Sequence, residues 1–291
     1  MKEKNKRMNI LFCGDANAED GVLITTLSLL KYEHELHLYI LTMTTSSKTK
    51  QYHPFSEHAV ALIEHLLKEK NPHNSVQLID ITDLYQKQAP RPNQETRFTP
   101  YAMIRLFADE IPALPDRILY LDNDVIIRKD ITDFYNQNLE KIEFVGVLDF
   151  FGRWFFHNQW RIFDYINSGV LLLNLKYIKQ TRLFARVRHL MSTKKMFFPD
   201  QTALNKLAKH KKIAPQRYNE QRKLHKNTVI QHFTTTFRFI PYFHMLTVKP
   251  WDVARVHSVL HLHEYDELLN EYLKLKPQLH PEKISNFNTF F

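Results

Sequence analysis

Two aspartates, Asp122 and Asp124, stand two residues apart directly after the apolar run Ile118-Leu119-Tyr120-Leu121. Side chains at i and i+2 fall on one side of a chain that stays extended. Carboxylates so placed at the C-terminal end of a buried strand would face the crevice in which open α/β sheets bind ligands. Two such groups suit a hard divalent cation whose other positions are filled by phosphates. A loop acid pair that caps the next element would read the same way. The apolar flank argues otherwise, because burying two acids there costs free energy unless a cation compensates.

The rest of the composition narrows what such a cation would serve. The chain has five glycines in 291 residues, Gly14, Gly21, Gly146, Gly152 and Gly169. They form neither a G-x-G-x-x-G turn nor a Walker loop. Nucleotide phosphates would therefore have to be held by a metal or by Lys and Arg side chains. Forty Lys and Arg against 31 Asp and Glu leave a net charge of +9, which implies acidic partners. Part of that excess is local: Lys206, Lys209, Lys211, Lys212, Arg217, Arg222, Lys223 and Lys226 are opposed only by Glu220. This segment reads as a solvated helix and loop face, or more sharply as a docking patch. The single cysteine, Cys13, excludes a disulfide framework and a cysteine zinc site. The chain is 44% apolar and 24% charged, a globular composition. It has no apolar run of the roughly 18 residues a membrane helix needs. No secretory leader is expected either, so the expected compartment is the cytoplasm.

The elements that must position the acids alternate. Residues 9–14, 35–42 and 76–81 read as buried strands, with helical periodicity over 25–32 and 55–69 between them. That order predicts a parallel sheet covered by helices. Residues 86–100, with three prolines, read as a loop, and Tyr101–Ala108 as a helix ended by Pro112 and Pro115. Residues 117–128, 144–149, 168–175 and 227–233 are further strand candidates; 199–210 and 257–276 read as helices. The expectation is one α/β unit, doubly wound, with a helical C-terminal extension.

A D-x-D after an apolar strand fits two enzyme classes, the haloacid-dehalogenase-type phosphatases and the GT-A glycosyltransferases. The rest of the chain resembles the second, and within it glycosyltransferase family 8. Asn9-Ile10-Leu11-Phe12 with Asp15 and Asn17 is similar to that family's opening strand and nucleotide-binding turn. Tyr101–Leu106 resembles its Tyr-Ala-x-x-Arg-type helix, with a longer spacing to Arg105. Ile118–Asp130 resembles its metal strand, and Asn167-Ser168-Gly169-Val170 its sugar-pocket segment. Pro199-Asp200-Gln201 with Asn205 is similar to its Asp-Gln helix start. Ile230–Phe233 and Lys249-Pro250-Trp251 look like the two halves of its His-Phe…Lys-Pro-Trp motif. A phosphatase would also need a downstream Gly-Asp or Asp-Asp acid cluster, and none is found.

The resemblance implies a GT-A fold: a Rossmann-like, mixed and mostly parallel sheet flanked by helices, with a catalytic domain over 8–252 and a helical extension and tail over 253–291. It implies Asp122, Asp124 and His232 as ligands of Mn2+ or Mg2+. A histidine at the end of an apolar strand is ordinarily a satisfied core residue; its place in the matching block reverses that reading for His232. Asp15, Asn17, Arg105, Asn123, Asn167, Ser168 and Lys249 are expected to bind the nucleotide sugar, with Asp15 and Asn17 on uracil and ribose. Arg105 would hold diphosphate or sugar, or serve as a structural ion pair. Lys249 would pair with the departing diphosphate. Asp200 is expected to bond sugar hydroxyls, and Gln201 sits where the family offers a weak nucleophile or electrostatic stabiliser.

The implied activity is retaining transfer of a hexose, glucose or galactose foremost, from a UDP-sugar to a glycan acceptor on a lipid, polysaccharide or protein. The basic 206–226 segment would draw the enzyme to the inner face of an anionic membrane. A DxD phosphatase acting on a phosphomonoester and a non-catalytic basic binding protein are the rival readings, and no nucleic-acid partner is expected. Two positions depart from the family's pattern. Ala18 replaces the aromatic that stacks on the base. The last motif is split by an insert, 234–248, rich in aromatics (Phe237, Phe239, Tyr242, Phe243). That insert would be an acceptor platform, a partner or membrane contact, or a hairpin packed on the core. Trp154 and Trp160 would stack on acceptor sugars, and Phe287, Phe290 and Phe291 would anchor to a surface or fold back.

Overall fold

The computed structural model describes residues 7–32, 35–46, 51–93, 100–152, 164–196, 198–238, 242 and 244–281. In chain order its strands are β1 (Arg7–Cys13), β2 (Glu35–Thr42), β3 (Thr45–Ser46), β4 (Gln51–Tyr52), β5 (Ser75–Asp80), β6 (Arg117–Leu121), β7 (Val125–Ile127), β8 (Phe144–Leu148), β9 (Ile166–Asn174), β10 (Lys211–Ile213), β11 (Ile230–His232), β12 (Thr236–Arg238) and β13 (His244–Leu246). Seven of them form one sheet in the order β10-β8-β9-β6-β1-β2-β5. β9 runs antiparallel to both neighbours, and the other pairings are parallel. The expected mixed, mostly parallel sheet is therefore present.

The apolar runs are continuous rather than alternating because both faces of the sheet are covered. Eight of the nine residues of β9 are buried. One core layer joins the sheet to the helices Glu19–Leu30, Glu57–Lys70 and Asp266–Leu279. The other joins it to Tyr101–Ile104, Leu175–Thr181, Leu183–Thr193 and Pro199–Leu207. Because β1 and β6 are parallel and β9 opposes β6, four chain segments meet at one edge. These are Asp15 after β1, Asp122 after β6, Asp149 after β8, and Asn167–Gly169 at the start of β9. A register shift between Gly146 and Val147 bends the end of β8 just before Asp149, as bulges beside sites do.

The helix expected over 25–32 spans Glu19–Leu30 and is buried almost all round. Two of its polar residues hold β7: Thr25 Oγ1 donates to Val125 O (2.8 Å) and Ser28 Oγ accepts from Ile127 N (3.0 Å). This helix also fixes the turn after β6. A Cβ on Gly21 would overlap the Asn123 carbonyl and lie 2.8 Å from the Trp251 ring.

Other elements differ from the sequence reading. The loop expected at 86–100 begins inside a helix, Thr82–Gln88, which is started by Asp80 Oδ1 accepting from Thr82 N (2.7 Å). Tyr101–Ala108 is one short α-helical turn followed by a 3-10 segment over Arg105–Glu110. Two helices, Leu175–Thr181 and Leu183–Thr193, occupy a stretch with no expected element and are separated by Arg182 at φ 53°. The helix read over 257–276 is two, Val253–Ser258 and Asp266–Leu279, with His261 at φ 51° in the turn. The second buries Leu268, Leu269 and Tyr272 against the helix Glu19–Leu30, and Tyr272 OH donates to Asp20 Oδ1 (2.6 Å). The basic 206–226 segment contains the edge strand β10. Lys211 turns inward to Asn205 Oδ1 (3.1 Å) and Asp164 (3.2 Å), while Lys206, Lys209, Lys212, Arg217, Arg222, Lys223 and Lys226 are exposed. Lysines on an edge strand discourage edge-to-edge pairing.

Glycine in a helix interior ordinarily costs ~1 kcal/mol relative to alanine. At position 21 the sign reverses, because the added methyl would have to displace the Asn123 carbonyl. Gly21→Ala is expected to destabilise the fold by about 1–3 kcal/mol, read as a lowered urea midpoint; a raised midpoint would contradict the packing described.

Candidate active site

β6 ends at Leu121, and the backbone turns through Asp122–Asp124 into β7. β7 pairs antiparallel with β11, with Val125 opposite His232. Asp122 N donates to Gly169 O (2.8 Å) and Phe233 N to Asp124 O (2.9 Å). The motif is thus clamped between β9 and β11. Asp122, Asp124 and His232 each present a ligand atom within 4.8 Å of the others. A Cβ on Gly169 would overlap the His232 ring and stand 2.6 Å from Asp122 Oδ2, so only glycine admits this cradle.

The hydrogen-bond network sets the tautomer of His232. The backbone N–H of Gly169 donates to Asn167 Oδ1 (3.0 Å), which makes that atom an acceptor. Asn219 Nδ2 donates to the same oxygen (2.9 Å), which leaves Asn219 Oδ1 as the partner of His232 Nδ1 (3.0 Å). Nδ1 must then carry the proton. Nε2 lies 3.0 Å from Asp124 Oδ1 and 3.6 Å from Asp122 Oδ2, and in the neutral ring it presents its lone pair to them. Asp124 Oδ1 is buried and accepts no hydrogen bond. A bare imidazole nitrogen aimed at two carboxylate oxygens is repulsive unless a cation lies among them. Two oxygens and one neutral imidazole suit Mn2+ or Mg2+ with further positions left to a ligand.

Lys249 lies on the same acid. Its ammonium donates to Asp124 Oδ2 and to Phe233 O (3.1 Å). Burial acts to raise the Asp124 pKa; the Lys249 ammonium outweighs it and holds the carboxyl well below the usual range.

Arg105 is buried, and four of its five N–H groups are engaged: by Ala102 O (2.9 Å), Asp122 Oδ1 (3.2 Å), Ser168 O (2.6 Å) and Asp200 Oδ2 (2.6 Å). Its guanidinium lies 4.4 Å over the Tyr120 ring. Burial disfavours its charge, but Tyr120, Asp122 and Asp200 outweigh that and raise its pKa. The structure therefore gives Arg105 the ion-pair arrangement: it ties the end of β6 to the helix Pro199–Leu207. Gln201 Oε1 accepts from Ser168 N (2.9 Å) and Ser168 Oγ (3.2 Å), and its Nε2 donates to Asp149 Oδ2 (3.2 Å). Asn205 locks this helix onto β9, donating to Ile166 O and accepting from Ile166 N, both at 2.7 Å.

Asp15 accepts from Asn17 N (3.1 Å) and Asn17 Nδ2 (2.8 Å), capping the short 3-10 turn Ala16–Ala18. Asn17 is exposed and Ala18 is core. Asn123 is half-buried at the tip of the turn. Sequence reasoning missed Asp149, Tyr120 and Asn219. Asp149 Oδ2 accepts from Asn167 Nδ2 (2.9 Å), and Tyr120 OH donates to Asp122 Oδ1 (2.5 Å). Tyr120, in β6, sits two residues before Asp122, a spacing that could have exposed it; nothing local marked Asn219.

Beside the site, the hairpin β12–β13 carries Phe237 against Phe151 (4.8 Å between ring centroids), and Arg222 stacks 4.4 Å over Phe150. Tyr242 on the hairpin is 70% exposed. Trp154, Trp160, Phe239, Phe243, Phe287, Phe290 and Phe291 lie outside the described residues.

The family model described as glycosyl transferase family 8 matches residues 9–254. The chain belongs to glycosyltransferase family 8. The phosphatase and the non-catalytic readings are thereby set aside. Glycosyltransferase GlyA of Streptococcus pneumoniae serotype 4 (strain ATCC BAA-334 / TIGR4) is 33% identical over 98 residues, which are 33% of this chain and 13% of GlyA. The galactosyltransferase LgtC, solved with donor and acceptor sugar analogues, superposes with a TM-score of 0.65 at 19% identity, covering 91% of this chain and 96% of LgtC. GlyE of Streptococcus pneumoniae TIGR4 gives 0.58 at 19% identity over 92% of this chain and 63% of GlyE. The likeness shows the GT-A fold. Among the described residues no helix is long and apolar enough to cross a membrane.

Partners that orient a metal-ligating histidine typically matter 10–100-fold in metal affinity. Asn219→Ala should weaken Mn2+ binding by about that factor, followed by electron paramagnetic resonance of the free ion. Unchanged affinity in a folded variant would contradict the assigned tautomer.

Proposed function

We propose that this family 8 chain is a retaining, metal-dependent transferase that moves a hexose, glucose or galactose, from a UDP-sugar to a glycan acceptor on a lipid, polysaccharide or protein. The observation that carries the reading is the convergence of His232 Nε2 with Asp122 and Asp124, in a chain of this family. Asp122, Asp124 and His232 would hold Mn2+ or Mg2+. The ion would supply Lewis-acid stabilisation of the charge that develops on the leaving diphosphate.

The other side chains take the following parts in this reading. Lys249 would turn its ammonium from Asp124 to the departing diphosphate. Asp15 and Asn17, with Asn123 at the tip of the motif turn, meet the nucleoside. Arg105 acts through Asp122 and Asp200, holding both carboxylates in place. Asp200, Asn167 and Ser168 border the sugar. Gln201 Oε1 is already turned to two donors of Ser168, which favours a positioning and electrostatic role over a nucleophilic one. Transfer then proceeds on the front face: the sugar–phosphate C–O bond breaks, the acceptor oxygen bonds the same face of the anomeric carbon, and the leaving phosphate oxygen takes the acceptor's proton. The ring cluster of Phe150, Phe151 and Phe237, continued by Tyr242, would receive acceptor sugars. The catalytic unit would comprise 8–252, with 253–291 as its helical extension. The exposed cations of 206–226 would hold the cytoplasmic enzyme at the inner face of an anionic membrane.

Calorimetry with UDP, with and without Mn2+, on the native chain and on Asp124→Ala tests this. Binding that needs the metal and disappears in the variant is expected. UDP binding that ignores both metal and variant, or no UDP binding at all, would contradict the proposal.

A further inference from the structure

A second group of ligating side chains lies on the C-terminal helices, outside the site above. His257 is in the last turn of the helix Val253–Ser258, His263 lies in the turn that follows, and Asp266 opens the helix Asp266–Leu279. His257 Nε2 is 2.8 Å from Asp266 Oδ1, and His263 Nδ1 is 3.2 Å from Asp266 Oδ2. The two rings stack with centroids 4.7 Å apart at 19°. One ligand atom from each residue lies within 4.8 Å of the others.

We propose that His257, His263 and Asp266 bind one divalent transition-metal ion of the zinc class. Two imidazole nitrogens and one carboxylate oxygen are a donor set for zinc with its fourth position left to water. They suit Mg2+ or Ca2+ poorly, since those ions favour all-oxygen shells. The two imidazoles donate to the two oxygens of one carboxylate, so the three ligand atoms are already gathered, and a turn of the rings out of their stack would direct both nitrogens at one ion. Binding requires that each neutral ring carry its proton on the opposite nitrogen, so the ring nitrogens beside Asp266 are freed without loss of a proton from either ring. The side chains of His257 and His263 are 36% and 65% exposed, which leaves the ion a way in.

The scaffold beneath is held. Glu264 accepts from Arg128 Nε (2.9 Å), and the buried Tyr265 donates its OH to Gln231 Oε1 (2.6 Å). Arg128 directly follows β7 and Gln231 is in β11. The turn that carries His263 is therefore fixed to the two strands that bear the catalytic motif. A bound ion would tie the two C-terminal helices together over them.

Titration of the full-length native chain and of His263→Gln with Zn2+, followed by calorimetry, tests the proposal. Co2+ serves as an optical probe, because four-coordinate Co2+ absorbs strongly in the visible. The native chain is expected to bind one more equivalent of zinc than His263→Gln and to show a cobalt band that the variant lacks. Mn2+-dependent UDP binding should be the same in both. Asp266→Asn should weaken zinc at least ten-fold. Equal zinc stoichiometry and affinity in native chain and variants would overturn the proposal. So would zinc bound by the native chain only at a site that Asp124→Ala removes.

Discussion

Three carboxylates, Asp122, Asp124 and Asp200, are drawn from water into one edge of the sheet, and the rest of the site answers their charge. Asp124 and Asp200 are buried, and Asp122 is half-buried. Isolated charges at such depth are costly, and they persist only when paired and hydrogen-bonded. Arg105 serves Asp122 and Asp200 together, and Lys249 serves Asp124. Asp124 Oδ1, beside His232 Nε2 and accepting no hydrogen bond, is where the compensation stops. That unfinished corner is what a divalent ion would complete.

The same edge shows how three candidate ligands can be oriented by groups outside their cluster. The backbone N–H of Gly169 fixes Asn167, Asn167 fixes Asn219, and Asn219 fixes the proton of His232. A single backbone donor thus sets the polarity of a chain of side chains. The close approach at Gly169 and Gly21 allows the two strands and the helix Glu19–Leu30 to crowd around the turn. The glycines that the composition seemed to lack for phosphate binding are placed where backbone and ring must nearly touch.

Much of this was legible in the residues, for reasons of period and order. Buried strands such as β1 and β9 read as unbroken apolar runs, and a parallel order of strands and helices brings their ends to one edge. The D-x-D could therefore be placed at that edge before any coordinates, whereas the Asn-Ser-Gly segment was joined to it only by the family resemblance, because β9 runs antiparallel and brings its start there. What could not be read was pairing at long range. Arg105 read as a ligand for diphosphate or sugar or as an ion pair; four of its five N–H groups go to Asp122, Asp200 and backbone carbonyls, which no spacing in the sequence announces. Asp149 and Asn219 entered the site because β8 bends and because β11 brings His232 beside the segment 216–221. The helices at 175–193 went unread because a left-handed residue, Arg182, interrupts their period. The C-terminal helix was read as one because the turn at His261 carries no glycine or proline.

The most direct test of the central claim is a manganese anomalous difference map from crystals of the chain grown with Mn2+ and UDP. The account predicts one strong peak bonded to Asp122, Asp124 and His232 Nε2, with the Lys249 ammonium moved off Asp124. A peak bonded to other residues, or Lys249 still paired with Asp124 beside bound UDP and no ion, would contradict it.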